Sequence, residues 1–260
     1  MVGIPGCGKS LVAKTMSSSW QMPLLKLDIG KVFQGLVGAS ESNIRNALNT
    51  AATISPCILW IDEIEKSLSS SSGSTDGGTT SRVFGTILTW MQENTSPVFV
   101  YATANDISRM PPELLRKGRF DEIFFVDLPG TKEREEIFSI HIQKVGLSVD
   151  QFDLTLLAKH AGPSLLGESI SLTGAEIESV IQNALISVFS KDDEPSSSTK
   201  IITSDIISQI KNIVPLAKLR NSEFTKLREW ADENAVSAYK LPSSTKDSEV
   251  SHKGGRNLDI

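Results

Sequence analysis

Gly3-Ile4-Pro5-Gly6-Cys7-Gly8-Lys9-Ser10 fits the pattern GxxxxGK[ST], and Leu11-Val12-Ala13 opens an apolar run directly behind it. Glycines at 3, 6 and 8 let the backbone fold tightly enough for successive N–H groups to point at phosphate oxygens. Lys9 is then placed to neutralise β/γ oxygens and the Ser10 hydroxyl to reach Mg²⁺, while a helix opening at Leu11 turns its N-terminus toward the anion. A plain glycine-rich turn needs neither the lysine nor the serine. Cys7 reads as a small side chain filling a loop position, although a modified thiol there would crowd the phosphates.

Such loops follow a buried strand, yet only Met1-Val2 stand where one should end. Losing about five buried apolar side chains, at roughly 1.5–3 kcal/mol each, forfeits on the order of 10 kcal/mol, against about 5–15 kcal/mol for the net stability of a domain. The chain therefore reads as a fragment or an incomplete gene model with its first strand largely missing, or else as a fold that has compensated.

Downstream, Leu24-Leu25-Lys26-Leu27-Asp28 has strand character, and Ser40-Glu41 starts a helix that sets Ile44, Ala47, Leu48 and Ala51 on one face. Cys57-Ile58-Leu59-Trp60-Ile61 is continuously apolar and ends in Asp62-Glu63, as a strand buried on both faces does when it delivers acids to its C-terminal edge. Asp62 suits the shell of a Mg²⁺ ion and Glu63 suits a general base, with Glu65 an alternative acid. Residues 67–79 are low-complexity and read as a flexible loop. A helix over about 81–93 and the strand Val98–Thr103 follow, bringing Asn105 to the same edge to hold a lytic water or read a γ-phosphate. A turn-forming Asn-Asp pair is the other reading of that position. Arg116 and Arg119 then flank Gly118, either in a solvated basic turn or as cations reaching the phosphate of a neighbouring copy.

The phosphate loop, Ile61-Asp62-Glu63, Ala102-Thr103-Ala104-Asn105 and Leu114-Leu115-Arg116-Lys117-Gly118-Arg119-Phe120-Asp121, in that order, resemble the AAA family of ring-forming ATPases over residues 2–235. Gly30–Phe33, Arg82–Gly85, Thr89–Gln92 and Glu122–Pro129 are most similar to the AAA proteins first noted as chloroplast open reading frames, with relatives in cyanobacteria and plants. The resemblance implies an α/β fold: a P-loop NTPase parallel-sheet core at 1–129 and an all-α lid at 130–236, before a disordered tail at 237–260. It implies that residues Gly3 to Leu11 hold ATP, that Ser10 and Asp62 bind Mg²⁺, and that Glu63 is the catalytic base. Asn105 matches sensor 1, and Arg116 and Arg119 match fingers acting in trans in a homo-oligomeric ring, a hexamer, that works on a protein substrate. Gly174-Ala175 falls where some branches carry a sensor 2 arginine. Leu36, in the loop Gly35-Leu36-Val37-Gly38, stands where many unfolding motors place an aromatic, which keeps open an ATP-binding regulatory or scaffold role. The missing first strand leaves open that this piece is an inactive fragment of a longer ATPase. Chloroplast location follows from the resemblance alone, with the cytoplasm as alternative.

Beyond Pro129 the periodicity turns helical. Thr131 can cap a helix carrying Ile137, Ile140 and His141, Thr173-Gly174-Ala175-Glu176 is a capping box ahead of a long apolar stripe, and further helices start near Thr203 and Ser222. These stripes read as core, with no chemistry assigned. Lys191–Lys200 reads as an exposed linker. A net charge of −5 argues against a dedicated polyanion binder, no apolar run approaches the roughly 18–20 residues of a membrane span, and the histidines and cysteines lack the spacing of a transition-metal site.

Overall fold

A computed structural model describes residues 1–29, 39–65, 77–110, 114, 118–190 and 201–239. The loop around Leu36, residues 67–76, Arg116, the linker 191–200 and the tail from 240 lie outside the described residues.

Strand β3 (Cys57–Ile61) is buried along its whole length. Its neighbours β2 (Leu24–Leu27) and β4 (Val98–Ala102) both run parallel to it, with Leu27 and Ala102 in register with Ile61. Alternate residues of β3 face opposite layers, as the strand period of two requires. Cys57, Leu59 and Ile61 join Ile44, Leu48 and Ala51 of α2 (Ala39–Thr53) and Val83, Phe84 and Ile87 of α3 (Gly77–Glu93). Ile58 and Trp60 pack instead with Ala13 of α1 (Lys9–Trp20) and with Tyr101. A β1 of two residues, Val2–Gly3, pairs in parallel with β5 (Phe124–Val126), and Val2 also bridges Ala104. The phosphate loop thus leaves the seam between β4 and β5, at the C-terminal edge of the strands.

Helices α4 (Thr131–Lys144), α5 (Leu154–His160), α6 (Pro163–Leu166), α7 (Gly174–Phe189) and α8 (Thr203–Asn212) surround a second apolar cluster built on Phe138, Ile142, Leu157, Ile177, Val180, Ile181, Ile206 and Ile210. The box at Thr173 forms in full: its N–H donates to Glu176 Oε2 at 2.8 Å and its Oγ1 accepts from Glu176 N at 3.3 Å. At α4 the cap lies one residue earlier than the sequence suggests. Gly130 N–H donates to Glu133 Oε2 at 2.6 Å, while Thr131 Oγ1 accepts from Arg134 Nη2 at 3.1 Å.

The C-terminal elements depart from the expected division. After α9 (Leu216–Leu219), α10 (Asn221–Asn234) leaves the helical cluster and returns to the sheet, where Leu227 and Ala231 join the apolar group of Val2 and Phe125. Strand β6 (Val236–Ser237) then pairs in parallel with β5, and Ala238 N donates to Phe125 O at 2.8 Å. Residues 237–239 therefore sit against the sheet and not in a free tail. The physical reason is that the stripe of α10 covers apolar surface of the β1–β5 region, and its Arg228 holds Asp127, just past β5, through both carboxylate oxygens at 2.7–3.0 Å.

Candidate functional site

The loop between β1 and α1 turns through glycines held at positive φ, +79° at Gly6 and +87° at Gly8, where a side chain is strained. A Cβ on Gly6 would lie 3.0 Å from Thr173 Oγ1 and 3.1 Å from the Ala175 methyl group, so the loop lies directly against the start of α7. Ala175 N donates to Gly6 O at 3.1 Å across that contact. Over Gly8 nothing lies within 4 Å of a Cβ position, leaving the cradle open. Lys9 is buried and its Nζ donates to the carbonyls of Gly3 at 2.7 Å and Ile4 at 2.8 Å. Burial pulls its amine down to about 8, against the partial support of the nearby acids Asp62, Glu63 and Glu65. Burial pushes the Cys7 thiol up to about 12, which keeps it protonated and unreactive.

Strand β3 delivers Asp62 next to Ser10. Ser10 Oγ donates to Asp62 Oδ1 at 2.9 Å, Thr103 Oγ1 donates to the same oxygen at 2.7 Å, and Lys26 Nζ lies 3.1 Å from Oδ2. Burial works to raise this carboxyl, but the bonds from Thr103, Lys26 and Ser10 outweigh it and hold it below its ordinary value. A hydroxyl beside an ionised carboxylate is the donor set a Mg²⁺ ion uses when phosphate and water complete its octahedron. Among the residues present, Ser10 and Asp62 fit that ion.

Glu63 sits in the left-handed region at φ +49°, with its N–H donating to Thr103 Oγ1 at 2.9 Å. Non-glycine residues in that region cost of order 1 kcal/mol and cluster at functional sites. Asn105 Nδ2 donates to Glu63 Oε1 at 3.1 Å, and Asn105 N–H donates to Glu65 Oε1 at 3.0 Å. The two acids thus divide their work. Glu65 is buried, with its carboxyl raised by that burial, and it fixes the Asn105 backbone, whereas Glu63 faces a cavity.

That cavity, of about 610 Å³, has the phosphate loop, Glu63, Thr103 and Asn105 on one wall and Ile137, Ile140, His141, Lys144, Ala175 and Glu178 of α4 and α7 on the other. The second wall corrects the reading of the α4 stripe as core: Phe138 and Ile142 are the buried face, while Ile140 is 60% exposed. Lys144 Nζ pairs with Glu178 Oε1 at 2.7 Å, and His141, lowered by burial, has Nδ1 3.6 Å from the same oxygen. Arg119 is half-buried and does not line this cavity, so the site within one chain assembles Lys9, Ser10, Asp62, Glu63 and Asn105 without it. Among the described residues no helix is long and apolar enough to cross a membrane.

Residues 1–128 match the family described as "ATPase family associated with various cellular activities (AAA)". The chain is 46% identical over 237 residues to an uncharacterized AAA domain-containing protein, ycf46, of Guillardia theta, an alignment covering 91% of this chain and 44% of the relative. It is 50% identical over 232 residues to the ycf46 protein of Pyropia yezoensis, covering 89% and 44%. A more distant match, 32% identical over 221 residues and covering 77% and 25%, is a protein of Dictyostelium discoideum named as a ribosome biogenesis ATPase, nvl. The chain spans a little under half the length of the ycf46 relatives it matches. With the phosphate loop, the strand-end acids and the Asn105 contact gathered at the C-terminal ends of two parallel three-stranded sheets that the Val2–Ala104 bridge joins, the chain belongs to the AAA family of ATPases.

Proposed function

We propose that this chain binds Mg-ATP between its sheet edge and helices α4 and α7 and hydrolyses it, and that in an oligomeric ring this turnover remodels a protein partner. The observation that carries the reading is the convergence of Lys9, Ser10 and the Glu63–Asn105 pair on one cavity, with Asp62 hydrogen-bonded to Ser10 and Thr103 of its lining. Mg²⁺, when bound, supplies charge neutralisation at the phosphates. Lys9 exchanges the carbonyls of Gly3 and Ile4 for phosphate oxygens. Glu63 takes a proton from water as the water oxygen bonds to the terminal phosphorus and the bridging P–O bond breaks toward the diphosphate. Asn105 aims the Glu63 carboxylate through its amide. Similarity to the ycf46 proteins and to the AAA branch noted in chloroplast genomes supports a plastid location.

The test is a thermal unfolding curve with and without Mg-ATP, since a ligand that binds only the native state raises its apparent stability, followed by phosphate release. An upward shift with slow phosphate release supports the reading; an unfolding curve indifferent to Mg-ATP refutes it. Leu36 favours a second reading, an ATP-responsive scaffold, which predicts ATP-dependent capture of a partner and turnover that unfolded protein does not stimulate.

A further inference from the structure

Lys26 stands out from the other charges around the site. It projects from β2, the neighbour of β3, with Nζ 4.2 Å from the centroid of the Trp60 ring and 3.1 Å from Asp62 Oδ2. The indole face holds the stem and its charge in place, and half the side chain stays in contact with solvent. The two oxygens of Asp62 are therefore unlike. Oδ1 is oriented by the hydroxyls of Ser10 and Thr103, neither of which carries charge, whereas Oδ2 already has a full positive charge against it.

We propose that Lys26 is a resident counter-cation of Asp62 that sets the concentration of divalent metal at which the site loads. The inference rests on Asp62 belonging to the metal's shell, as proposed above. A metal arriving beside Oδ1 meets a carboxylate whose charge is already half committed, and it meets the repulsion of an ammonium a few ångströms away. The ion pair must loosen, or its charge must be tolerated, each time the site fills. Because Lys26 is half in water, the repulsion is partly screened, and it amounts to a several-fold effect on metal affinity and not to exclusion. The lysine thus lets the apo site keep Asp62 ionised and oriented with no metal present, and makes loading respond to free Mg²⁺ over the range where that ion is limiting.

The experiment fixes ADP at saturation and titrates Mg²⁺, reading the Mg²⁺ concentration that gives half of the metal-dependent rise in unfolding temperature. Lys26→Met, which keeps the stem on the indole and removes the charge, is expected to lower that midpoint roughly threefold to tenfold at low salt, with a smaller difference at high salt. Lys26→Arg is expected to keep the wild-type midpoint, and Lys26→Gln provides a second neutral side chain should the methionine variant fold poorly. In an Asp62→Asn background the Lys26→Met change should lower the midpoint by less than it does beside Asp62, because only the direct repulsion of the ammonium is left to remove. If wild type responds to Mg²⁺ and both neutral variants share its midpoint, or need more metal than it does, the proposal fails and the reading of the site stands. If wild type shows no metal-dependent rise with ADP, both fail together.

Discussion

At the scale of single residues the site is built from groups whose surroundings already lean toward their task. Glu63 is held at positive φ, receives the Asn105 amide and faces the cavity, so Glu63→Gln keeps the shape and removes the carboxylate proposed as the base. Phosphate release is expected to fall by about 10²–10⁴-fold while the Mg-ATP-induced rise in unfolding temperature remains; wild-type turnover in this variant would remove Glu63 from the mechanism. Lys9 carries a pH signature. Its amine is lowered to about 8 in the fold from 10.5 outside it, so between those values the unfolded chain binds more protons than the folded one. Its contribution therefore rises as pH goes from about 8 to 10.5, with a plateau on either side. Urea midpoints across that range should show the rise in wild type without nucleotide and lose it in Lys9→Met.

At the scale of elements, α10 decides how the C-terminal segment is held. Its Arg228 grips Asp127 through both oxygens, and Tyr239 Oη donates to the Asp127 carbonyl at 3.1 Å. The two side chains of the pair are 28% and 33% exposed, so screening removes much of the Coulomb gain and the bidentate geometry supplies the rest. Arg228→Ala is expected to cost about 1–2 kcal/mol of urea stability, and Asp127→Ala should add little on top of it, as partners in one interaction do. Full additivity would show that α10 is held by its apolar stripe alone. The sequence conveyed that stripe but not its destination, because Phe224, Leu227 and Ala231 are spaced identically whether the helix covers other helices or returns to a sheet. The same ambiguity hid the wall contributed by α4: Ile137, Ile140 and His141 share a face with no signal that a cavity lies beside it. Lys26 was unreadable for another reason. A charged residue in a short strand reads as an outward side chain, and only the register with β3 brings it to Asp62.

At the scale of the whole molecule, the parallel sheet and its edge were legible because phosphate chemistry fixes residue types and because strands buried on both faces must be continuously apolar. The layout around that edge depended on long-range pairings that periodicity does not encode. Arg119 belongs to this scale. It stays off the cavity of its own chain, as a residue acting on a neighbouring copy would. Turnover per chain is expected to climb with protein concentration as copies assemble, and Arg119→Ala should flatten that climb, lowering turnover at full assembly by about 10³-fold or more. Concentration-independent turnover, unchanged in the variant, would leave Arg119 as an ordinary surface cation. One contact ties these scales together. Ala175 N–H meets the Gly6 carbonyl at 3.1 Å in the first turn of α7, a helix of 16 residues. At 1.5 Å per residue it is about 24 Å long, so a tilt of about 10° around that first turn carries its other end through roughly 4 Å. The long arm ends at Ile186 and Phe189, both exposed, so any tilt that began at the loop would be largest there.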